Sequence, residues 1–491
     1  MASRLHPLSV PVRGGGRAIG LAVAGWVLGS MGGESLQAID VLPAWIPLGP
    51  LAAGIAILAA LGYEVLRYQR YEYELTDTSL DINSGVLFRR QREIPLRRVQ
   101  NVDIERSILQ RALGIATVGI ETAGGSSTEA SLEYVSEVEA ARLQEGIRTR
   151  KRDVEPADAD RAATDAPDEA SLLFELDDES LVLYSILSFD PRVLSVLFFV
   201  VPSVAPFVSG YIDSGSALVF LGIGLTVLLA TALGAWLLSA FSRFVNYYGF
   251  RLSRIGEELR YERGLLQRYD GSIPEGKIQT VVIEENVLMR LFGYASLSIE
   301  TAGYGPEAAA ESASAVPLAR REHLLELARD LEPFGELEFE RPAPAAKRRY
   351  VFRYAIVVTA LLVAGLAISR FVRPVPWYAL AVLYAAVPIA ARKQWEHRGW
   401  SLPEGYIATR TGFWRRRTHI VSNDRVQTVI DRRTLFQRRW GLGTVYVDTA
   451  SSGGFIAEEA RAIDVDRDQA DTLRIDVLDR LVAALGLDDR D

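Results

Sequence analysis

The sequence contains no cysteine. This absence excludes disulfide bonds, zinc sites built on thiolates and cysteine nucleophiles. Lysine is almost as scarce, occurring only at positions 151, 277, 347 and 393, so arginine supplies nearly all of the positive charge. The histidines are equally few and share no metal-ligand spacing; they are His6, His323, His397 and His419. We therefore expect no metal site and no cofactor.

The charge balance is acidic, with 62 Asp and Glu against 54 Lys and Arg and a net charge of -8. An acidic chain is a poor candidate for general nucleic-acid binding, so we expect no nucleic-acid partner. Scarce lysine with an excess of carboxylates fits either a salt-rich habitat or a GC-rich genome, and the composition leaves both open.

Apolar and charged residues are both abundant, at 49% and 24% of the chain. A uniform soluble protein rarely combines these fractions, so the two kinds of residue are expected to be segregated along the sequence. At 491 residues the chain is also too long for a single hydrophobic core. Several units, some of them in a membrane, are the natural division.

One stretch occurs three times without a gap, at residues 85–123, 264–302 and 412–450. Three ungapped matches of this length indicate that one folding unit is used three times. The copies share a glutamine, an arginine and a glycine in the same order. These are Gln100, Gln279 and Gln427, then Arg111, Arg290 and Arg438, then Gly114, Gly293 and Gly441.

The periodicity of each copy predicts a strand, a short helical turn and a second strand. In the first copy a β-branched run leads into residues 107–114, which have helical spacing and end on a glycine suited to the C′ position. Two strands joined by tight turns precede the first copy, and an amphipathic helix follows each copy. A small antiparallel barrel or sandwich closed by a C-terminal helix satisfies this pattern.

The recurring R-[VI]-Q-[NT]-V, the L-x-R-x-x-G that follows it and the final [ED]-T-A resemble the bacterial pleckstrin-homology-like (PH-like) domain of YdbS- and YdbT-like membrane proteins. The second copy departs from the pattern with Lys277, and the third with Asp448. The resemblance implies a PH-like module after each pair of membrane helices. It also implies a role in envelope homeostasis or peptide-toxin tolerance and a smaller single-repeat PH-like membrane protein as partner.

Paired apolar runs precede each copy and predict three transmembrane hairpins, at 18–30 with 41–63, 191–211 with 216–241, and 354–371 with 374–391. The first run also resembles a signal peptide, but a second run follows too closely for that reading. Arginines flank the hairpins, although Arg370 and Arg373 lie in the third turn. The positive-inside rule places both termini and all modules in the cytoplasm of a cell-membrane protein.

The predicted fold class is therefore membrane α plus β, with three hairpins each followed by a PH-like module. The predicted boundaries are 1–66 for hairpin 1, 67–149 for module 1, 150–180 for an acidic linker, 181–242 for hairpin 2, 243–333 for module 2, 334–348 for a linker, 349–391 for hairpin 3 and 392–491 for module 3.

The shared residues have structural interpretations. A glutamine in a β-branched run needs hydrogen-bond partners and is expected to hold the sheet to a neighbouring loop. Arg111, Arg290 and Arg438 are expected to cover the short helix or to pair with a carboxylate of the same unit.

A second arginine column, Arg89, Arg268 and Arg416, follows each opening glycine by four residues. Beneath a membrane these side chains could meet anionic headgroups, which contribute about 1 kcal/mol per charge. The alternative is a solvated strand face, and the sequence leaves both open.

No enzyme signature is present, because no pair of carboxylates is selected as acid and base and Gly222-Ile-Gly224 lies within an apolar run. The sequence favours a non-enzymatic membrane scaffold that binds proteins or lipid headgroups. The alternative is a device that transports or flips lipids or peptides. It is disfavoured because coupled transporters place ionisable groups at membrane depth, and the predicted spans contain none apart from Arg192 and Arg370 at span boundaries.

Overall fold

The computed structural model describes residues 3–38, 47–86, 88–122, 130–154, 170–188, 217–301, 314–371, 377–450 and 459–484. The predicted span at 191–211 and the middle of the acidic linker lie outside these residues. The chain forms two compact units. Unit 1 comprises residues 1–169 and 266–272, and unit 2 comprises residues 170–265 and 273–491.

Unit 1 begins with two long helices, α1 (Ser9–Ala38) and α2 (Leu48–Gln69). They approach closely because glycines face backbone across the contact. A Cβ placed on Gly29 would lie 2.6 Å from the carbonyl oxygen of Leu48, and one on Gly25 would lie 3.0 Å from that of Ala52. Close backbone approach through small residues is typical of helix pairs in membranes.

The β part of unit 1 consists of two antiparallel sheets. Its strands are β1 (Ser3–Arg4), β2 (Glu72–Leu75), β3 (Ser79–Ser84), β4 (Arg90–Pro95), β5 (Val99–Ser107), β6 (Ile115–Thr122) and β7 (Ala130–Ser136). The first sheet has the order β1-β2-β3-β4. In the second, β5 lies between β6 and a strand of the second repeat, Gln267–Pro274.

Two helices complete the first module, α3 (Ile108–Ala112) and α4 (Glu137–Val154). Ser107 caps α3 through a capping box with Gln110, and the Ser136 hydroxyl accepts a hydrogen bond from the Glu139 amide at the start of α4. The buried face of α4, with Leu143 and Ile147, closes a core formed by the inner faces of both sheets. The predicted strand, short helix, strand and closing helix are therefore present.

Unit 2 contains the other two modules. Its first strands are β8 (Ser171–Glu175), β9 (Arg251–Ile255) and β10 (Glu258–Arg263). The strand Gln267–Pro274 of the second repeat, most of which belongs to unit 1, is numbered β11. A six-stranded sheet follows, made of β12 (Ile278–Asn286), β13 (Tyr294–Thr301), β14 (Ser314–Arg320), β15 (Gly399–Ser401), β16 (Tyr406–Thr411) and β17 (Arg415–Ser422). Its order is β14-β13-β12-β17-β16-β15, so it joins the second and third modules.

A three-stranded sheet ends the β part, with β18 (Val426–Arg432), β19 (Leu442–Thr449) and β20 (Ala460–Asp466) in that order. The helices of unit 2 are α5 (Asp178–Leu187), α6 (Ala217–Tyr247), α7 (Val287–Phe292), α8 (Arg321–Leu331), α9 (Ala345–Phe371), α10 (Val387–Glu396), α11 (Leu435–Arg439) and α12 (Arg467–Ala484). The core of the second module includes Tyr406, Ala408 and Ile420 of the third.

The segment before each predicted hairpin pairs with the module that follows it. β1 pairs with β2, β8 pairs with β9, and Glu340 forms a β-bridge with Trp400. The stretch at 334–348, which the sequence predicts to be a linker, is therefore packed onto the third module rather than solvated. Likewise the acidic linker ends in a strand and a helix, β8 and α5. Apolar residues within charged stretches, such as Phe334 and Phe174, are buried or half-buried and explain both corrections.

Two of these segments are held in the same way, by a hydrogen bond to the carbonyl of a module residue that has a positive φ. Tyr134 and Asp464 occupy matching positions in β7 and β20, and both have a positive φ, 64° and 59°. The carbonyl of Tyr134 accepts a hydrogen bond from the His6 amide at 2.7 Å, and that of Asp464 accepts one from the Ala343 amide at 3.1 Å. The buried Asp464 carboxylate also pairs with Arg349 at the start of α9. The first and third modules thus hold the chain where it enters α1 and α9.

Among the residues that the structure describes, two helices are long and apolar enough to cross a membrane, α2 and α9. The prediction of three transmembrane hairpins is not confirmed. The predicted last span at 374–391 lies partly outside the described residues and is otherwise a 3-10 helix, Trp377–Ala386, followed by α10. Pro388, within the first turn of α10, explains the break, because its ring nitrogen cannot donate the hydrogen bond of a continuous α-helix.

Candidate functional site

The long strand of the first two repeats pairs with a strand of the repeat that follows. β11 lies antiparallel to β5, with Tyr269 opposite Glu105, and β17 lies antiparallel to β12, with Arg417 opposite Glu284. These two pairs occupy the same positions in the aligned repeats, so both junctions have the same register. One mode of strand addition is used twice.

The arginine of the L-x-R-x-x-G motif contributes to each junction. Arg290 donates a hydrogen bond to the Phe413 carbonyl at 2.6 Å, and its guanidinium lies 5.5 Å from the centre of the Phe413 ring. Arg111 donates to the Leu266 carbonyl at 3.5 Å. Phe413 and Leu266 belong to the hairpin of the next repeat. These two arginines therefore bind the next repeat, while Arg290 also donates a hydrogen bond within its own repeat, to the Glu285 carbonyl at 3.3 Å. The interpretation that they act within their own unit did not include the contact with the next repeat.

Charges stabilise the junction between β12 and β17. Glu284 pairs with Arg415 and with Arg417, the latter at 2.9 Å. Glu285 is only 2% exposed and pairs with Arg416 at 2.6 Å and Arg321 at 3.4 Å. A buried carboxylate needs such partners, since removing them leaves an uncompensated charge.

The electrostatics at this junction favour the ionised form of Glu284. Burial alone would raise the pKa of Glu284, but the neighbouring charges of Arg417 and Arg415, with a hydrogen bond from Arg415, bring that pKa below its usual value. On the adjacent strand, burial and the positive charges of Arg416 and Arg321 lower the pKa of Arg410 to about 10. The arginines clustered around Glu285 therefore repel one another, and this repulsion partly offsets their attraction to its carboxylate.

The three arginines considered as weak headgroup candidates, with a solvated strand face as the alternative, lie in different environments. Arg89 is exposed beside the hairpin turn, and Arg268 is exposed on β11 opposite Arg106. Arg416 is mostly buried and is bound to Glu285. The column is thus not one lipid-facing surface, and at Arg416 the headgroup interpretation is replaced by an ion pair with the preceding repeat.

The recurring glutamines share a backbone feature rather than a burial state. The register of the long strand shifts at each of them, between Val99 and Asn101 and at the matching points around Gln279 and Gln427. Gln279 is 8% exposed, whereas Gln427 is exposed. The side chain of Gln100 lies outside the described residues. The motif therefore marks a β-bulge, for which the sequence offered no signal.

The recurring glycines end the short helices, as predicted. Gly114, Gly293 and Gly441 have φ values of 65°, 74° and 64°. This left-handed conformation lets the chain leave the helix and enter the next strand, and glycine adopts it without a steric cost.

Large apolar side chains are exposed at the hairpin turns and on the short helices. Phe88 is 88% exposed and Trp414 is 72% exposed. The exposed residues of the short helices are Ile108, Leu109, Leu288, Leu291, Phe292, Leu435 and Phe436. Phe436 and Trp440 pack against Phe352 of α9 with ring centres 5.9 Å and 6.1 Å apart. This apolar end of the third module therefore adjoins one of the two helices suited to cross a membrane.

Within the described ranges, no group of three or more His, Asp or Glu side chains is placed to hold a metal ion. The non-enzymatic interpretation remains a prediction. One ion pair was missed within the helices, where the buried Glu64 of α2 pairs with Arg17 of α1. The predicted span ended at residue 63, one position before this glutamate.

The model of the family described as "Bacterial PH domain" matches residues 25–151, 196–333 and 354–481. The chain belongs to this family. This bacterial PH domain protein is 26% identical over 440 residues to the UPF0699 transmembrane protein YdbT of Bacillus subtilis (strain 168), covering 86% of this chain and 88% of the relative. It is 31% identical over 107 residues to the UPF0699 transmembrane protein YdbS of the same organism, covering 21% of this chain and 65% of the relative. No solved structure matches the chain.

The matches confirm the resemblance to YdbS- and YdbT-like proteins. The bacterial PH domain protein is a membrane protein with three PH-like repeats. The residues that join the repeats could not be found from the motif alone. Glu284 and Glu285 align with Glu105 and Arg106 in the first repeat and with Arg432 and Arg433 in the third, so the charge of Glu284 recurs only in the first repeat and that of Glu285 in neither.

Proposed function

We propose that this protein is a multi-pass membrane scaffold whose three PH-like modules lie at the cytoplasmic leaflet and bind partner proteins and headgroups. The observation that carries the proposal is the repeated junction, in which a long strand accepts a strand of another module in a fixed register. Strand addition to a sheet edge is a common mode of protein recognition.

Two features support placement of the modules against the membrane. The segments before the hairpins are paired to the modules that follow, so a module contacts the chain on both sides of its hairpin. Aromatic and aliphatic side chains are exposed at the turns beside arginines, as at Phe88 with Arg89 and Trp414 with Arg415. Such residues favour the interface between headgroups and acyl chains.

The resemblance adds a role in envelope homeostasis or peptide-toxin tolerance, with a smaller single-repeat PH-like membrane protein as partner. The proposal needs no catalytic centre and no cofactor. Its competitor is a device that moves lipids or peptides across the bilayer.

Reconstitution separates the two. The purified protein in vesicles is given a fluorescent lipid on one leaflet or a labelled peptide inside, and movement is followed against protein-free vesicles. The scaffold proposal expects rates equal to those of protein-free vesicles. Protein-dependent movement in one direction would overturn it in favour of transport.

Contact with the membrane surface has its own test. Because the chain lacks cysteine, an environment-sensitive dye can be attached singly at Phe88→Cys or Trp414→Cys in nanodiscs. Both are expected to show blue-shifted emission in anionic nanodiscs, whereas a dye at the exposed Glu257→Cys, on the turn between β9 and β10, stays water-like. Water-like emission at all three sites would remove the membrane-contact part of the proposal.

A further inference from the structure

The third repeat has a strand edge that matches the two junctions but, among the described residues, pairs on one side only. β18 corresponds to β5 and β12, yet it is the outer strand of its three-stranded sheet. Gln279, Thr280 and Val282 are buried in β12, and Thr280 and Val282 are paired with β17. Their counterparts Gln427, Thr428 and Ile430 are exposed in β18.

The arginine that completes each junction is also present. Arg111 and Arg290 donate hydrogen bonds to the hairpin of the next repeat, and the third repeat is the last of the three matched ranges. The matching Arg438 is exposed on α11, immediately after β18. Strand and arginine therefore keep the arrangement that accepts a hairpin elsewhere in this chain.

One position of the β18 edge carries a charge opposite to that of the matching position in the first two repeats. The first two repeats have Glu105 and Glu284 there, and Glu284 faces Arg417 of the incoming strand. The third repeat has the exposed Arg432. The next residue, Arg433, is already paired with Asp431 at 2.5 Å and with Asp471 at 2.7 Å. Arg432 is thus the charge that an incoming strand would meet.

This charge argues against a second copy of the chain as the occupant. The hairpin strand of the first repeat, β4, is the outer strand of its sheet and could supply the incoming edge. In the register of the two junctions, its Arg90 would face Arg432. The preceding Arg89 would also face Arg433, which makes two adjacent like-charge pairs, whereas the first junction has one, Arg106 opposite Arg268. Like charges directly opposite each other on neighbouring strands are destabilising.

We propose that β18, with Arg438, is a docking edge for a hairpin strand of a different protein that carries a carboxylate opposite Arg432. This inference rests on the proposed scaffold function and names the chemistry of one partner. The incoming strand adds antiparallel to β18 in the register of β17 on β12. Its carboxylate pairs with Arg432, while its turn carbonyl accepts a hydrogen bond from Arg438. An exposed edge strand is an aggregation hazard, and a specific partner would cover it.

Disulfide trapping tests the register and the charge together, with no background because the chain has no cysteine. Full-length protein in detergent carries Ile430→Cys. The probe is a synthetic peptide of residues 411–422 with His419→Cys, since the matching pair Val282 and His419 are opposite each other in the junction. The peptide is made with Arg417 and with Arg417→Glu, and the protein with Arg432 and with Arg432→Glu.

The expected result is a reversal of preference. The Arg417→Glu peptide should be trapped at least tenfold faster than the native peptide by protein with Arg432, and the order should invert for Arg432→Glu. Trapping at Asp479→Cys, an exposed control site on α12, should be slow for both peptides. Arg432 is exposed, so its substitution leaves the fold intact.

Equal trapping rates for the two peptides at Ile430→Cys would overturn the proposal. Trapping at Asp479→Cys as fast as at Ile430→Cys would overturn it as well. Its failure is distinguishable from failure of the scaffold function, because vesicle transport is measured without the trapping peptide and without the introduced cysteines. A transporting protein could still trap the acidic peptide, and a scaffold could fail to trap it.

Discussion

At the scale of single residues, the most consequential group is the buried Glu285, which holds Arg416 and Arg321 at the junction of the second and third repeats. We predict that Glu285→Ala lowers the free energy of unfolding by about 3 kcal/mol, because two arginines lose a buried counter-charge. Thermal unfolding in detergent measures the effect.

The matched control for this prediction is Glu93→Ala, since Glu93 is exposed on β4. It should change stability by less than about 0.5 kcal/mol. The double variant Glu285→Leu, Arg416→Leu should recover part of the loss, because an apolar pair removes the unpaired charge. A loss as small as that of the control would show that Glu285 does not hold the junction.

Two carboxyl groups of the second module should give opposite pH dependence. The pKa of Glu284 is lowered, since the charges of Arg417 and Arg415 outweigh the effect of burial. Its contribution to stability is present above the unfolded-state pKa, about 4.3, and is lost as the pH falls through the folded-state value. Glu284→Gln should therefore flatten the loss of thermal stability between pH 6 and pH 3.

Glu332 provides the contrast. Burial raises its pKa, although the Tyr406 hydroxyl donates a hydrogen bond to it. Any stability gained from its neutral form is lost as the pH rises through that raised value, so Glu332→Gln should stabilise the protein at neutral pH. Identical pH profiles for the two variants would contradict the environments assigned to both groups.

At the scale of elements, the contact of α1 with α2 depends on missing side chains. We predict that Gly29→Ala costs about 2 kcal/mol, because its Cβ would lie 2.6 Å from the Leu48 carbonyl oxygen and force the helices apart. Gly20→Ala in the same helix is the control, since no atom lies within 4 Å of the Cβ it would introduce. Equal melting temperatures for both variants would mean that the helices do not pack in this way.

Some of the elements could be predicted from the sequence and others could not. The short helices, their caps and their terminal glycines follow from local chemistry, as Ser107, Gln110 and Gly114 illustrate. The strands before the hairpins do not. β8 is only five residues long and pairs with β9, from which it is separated by more than 70 residues. Its short apolar run, Leu172 to Phe174, is too weak a signal for the partner to be inferred.

At the scale of the whole molecule, the central prediction concerns the side of the membrane that each module occupies. We predict that single cysteines at the exposed residues Glu93, Glu257 and Asp479, one in each module, all face the cytoplasm. The physical basis is the excess of arginine flanking the hairpins. An impermeant maleimide should label none of them in intact cells and all of them after permeabilisation.

A cysteine introduced at Ser35, between the first two predicted spans, provides the positive control for labelling in intact cells. If any one module reacts in intact cells while the others do not, the proposed common orientation fails. The arrangement of the repeats as one cytoplasmic scaffold would then fail with it.

The sequence by itself determined the threefold repeat, the PH-like module and the membrane association, because these depend on ungapped residue matches and on long apolar runs. Tertiary structure decided which residues join the modules. Arg416 looked like its counterparts Arg89 and Arg268, yet it pairs with the buried Glu285, whereas the other two are exposed. That meeting depends on two strands 131 positions apart in the chain, and neither residue's neighbours in sequence reveal the partner. The exposed edge of β18 could likewise be identified only from the tertiary structure, since a strand edge is recognised as unpaired only when its neighbours are known.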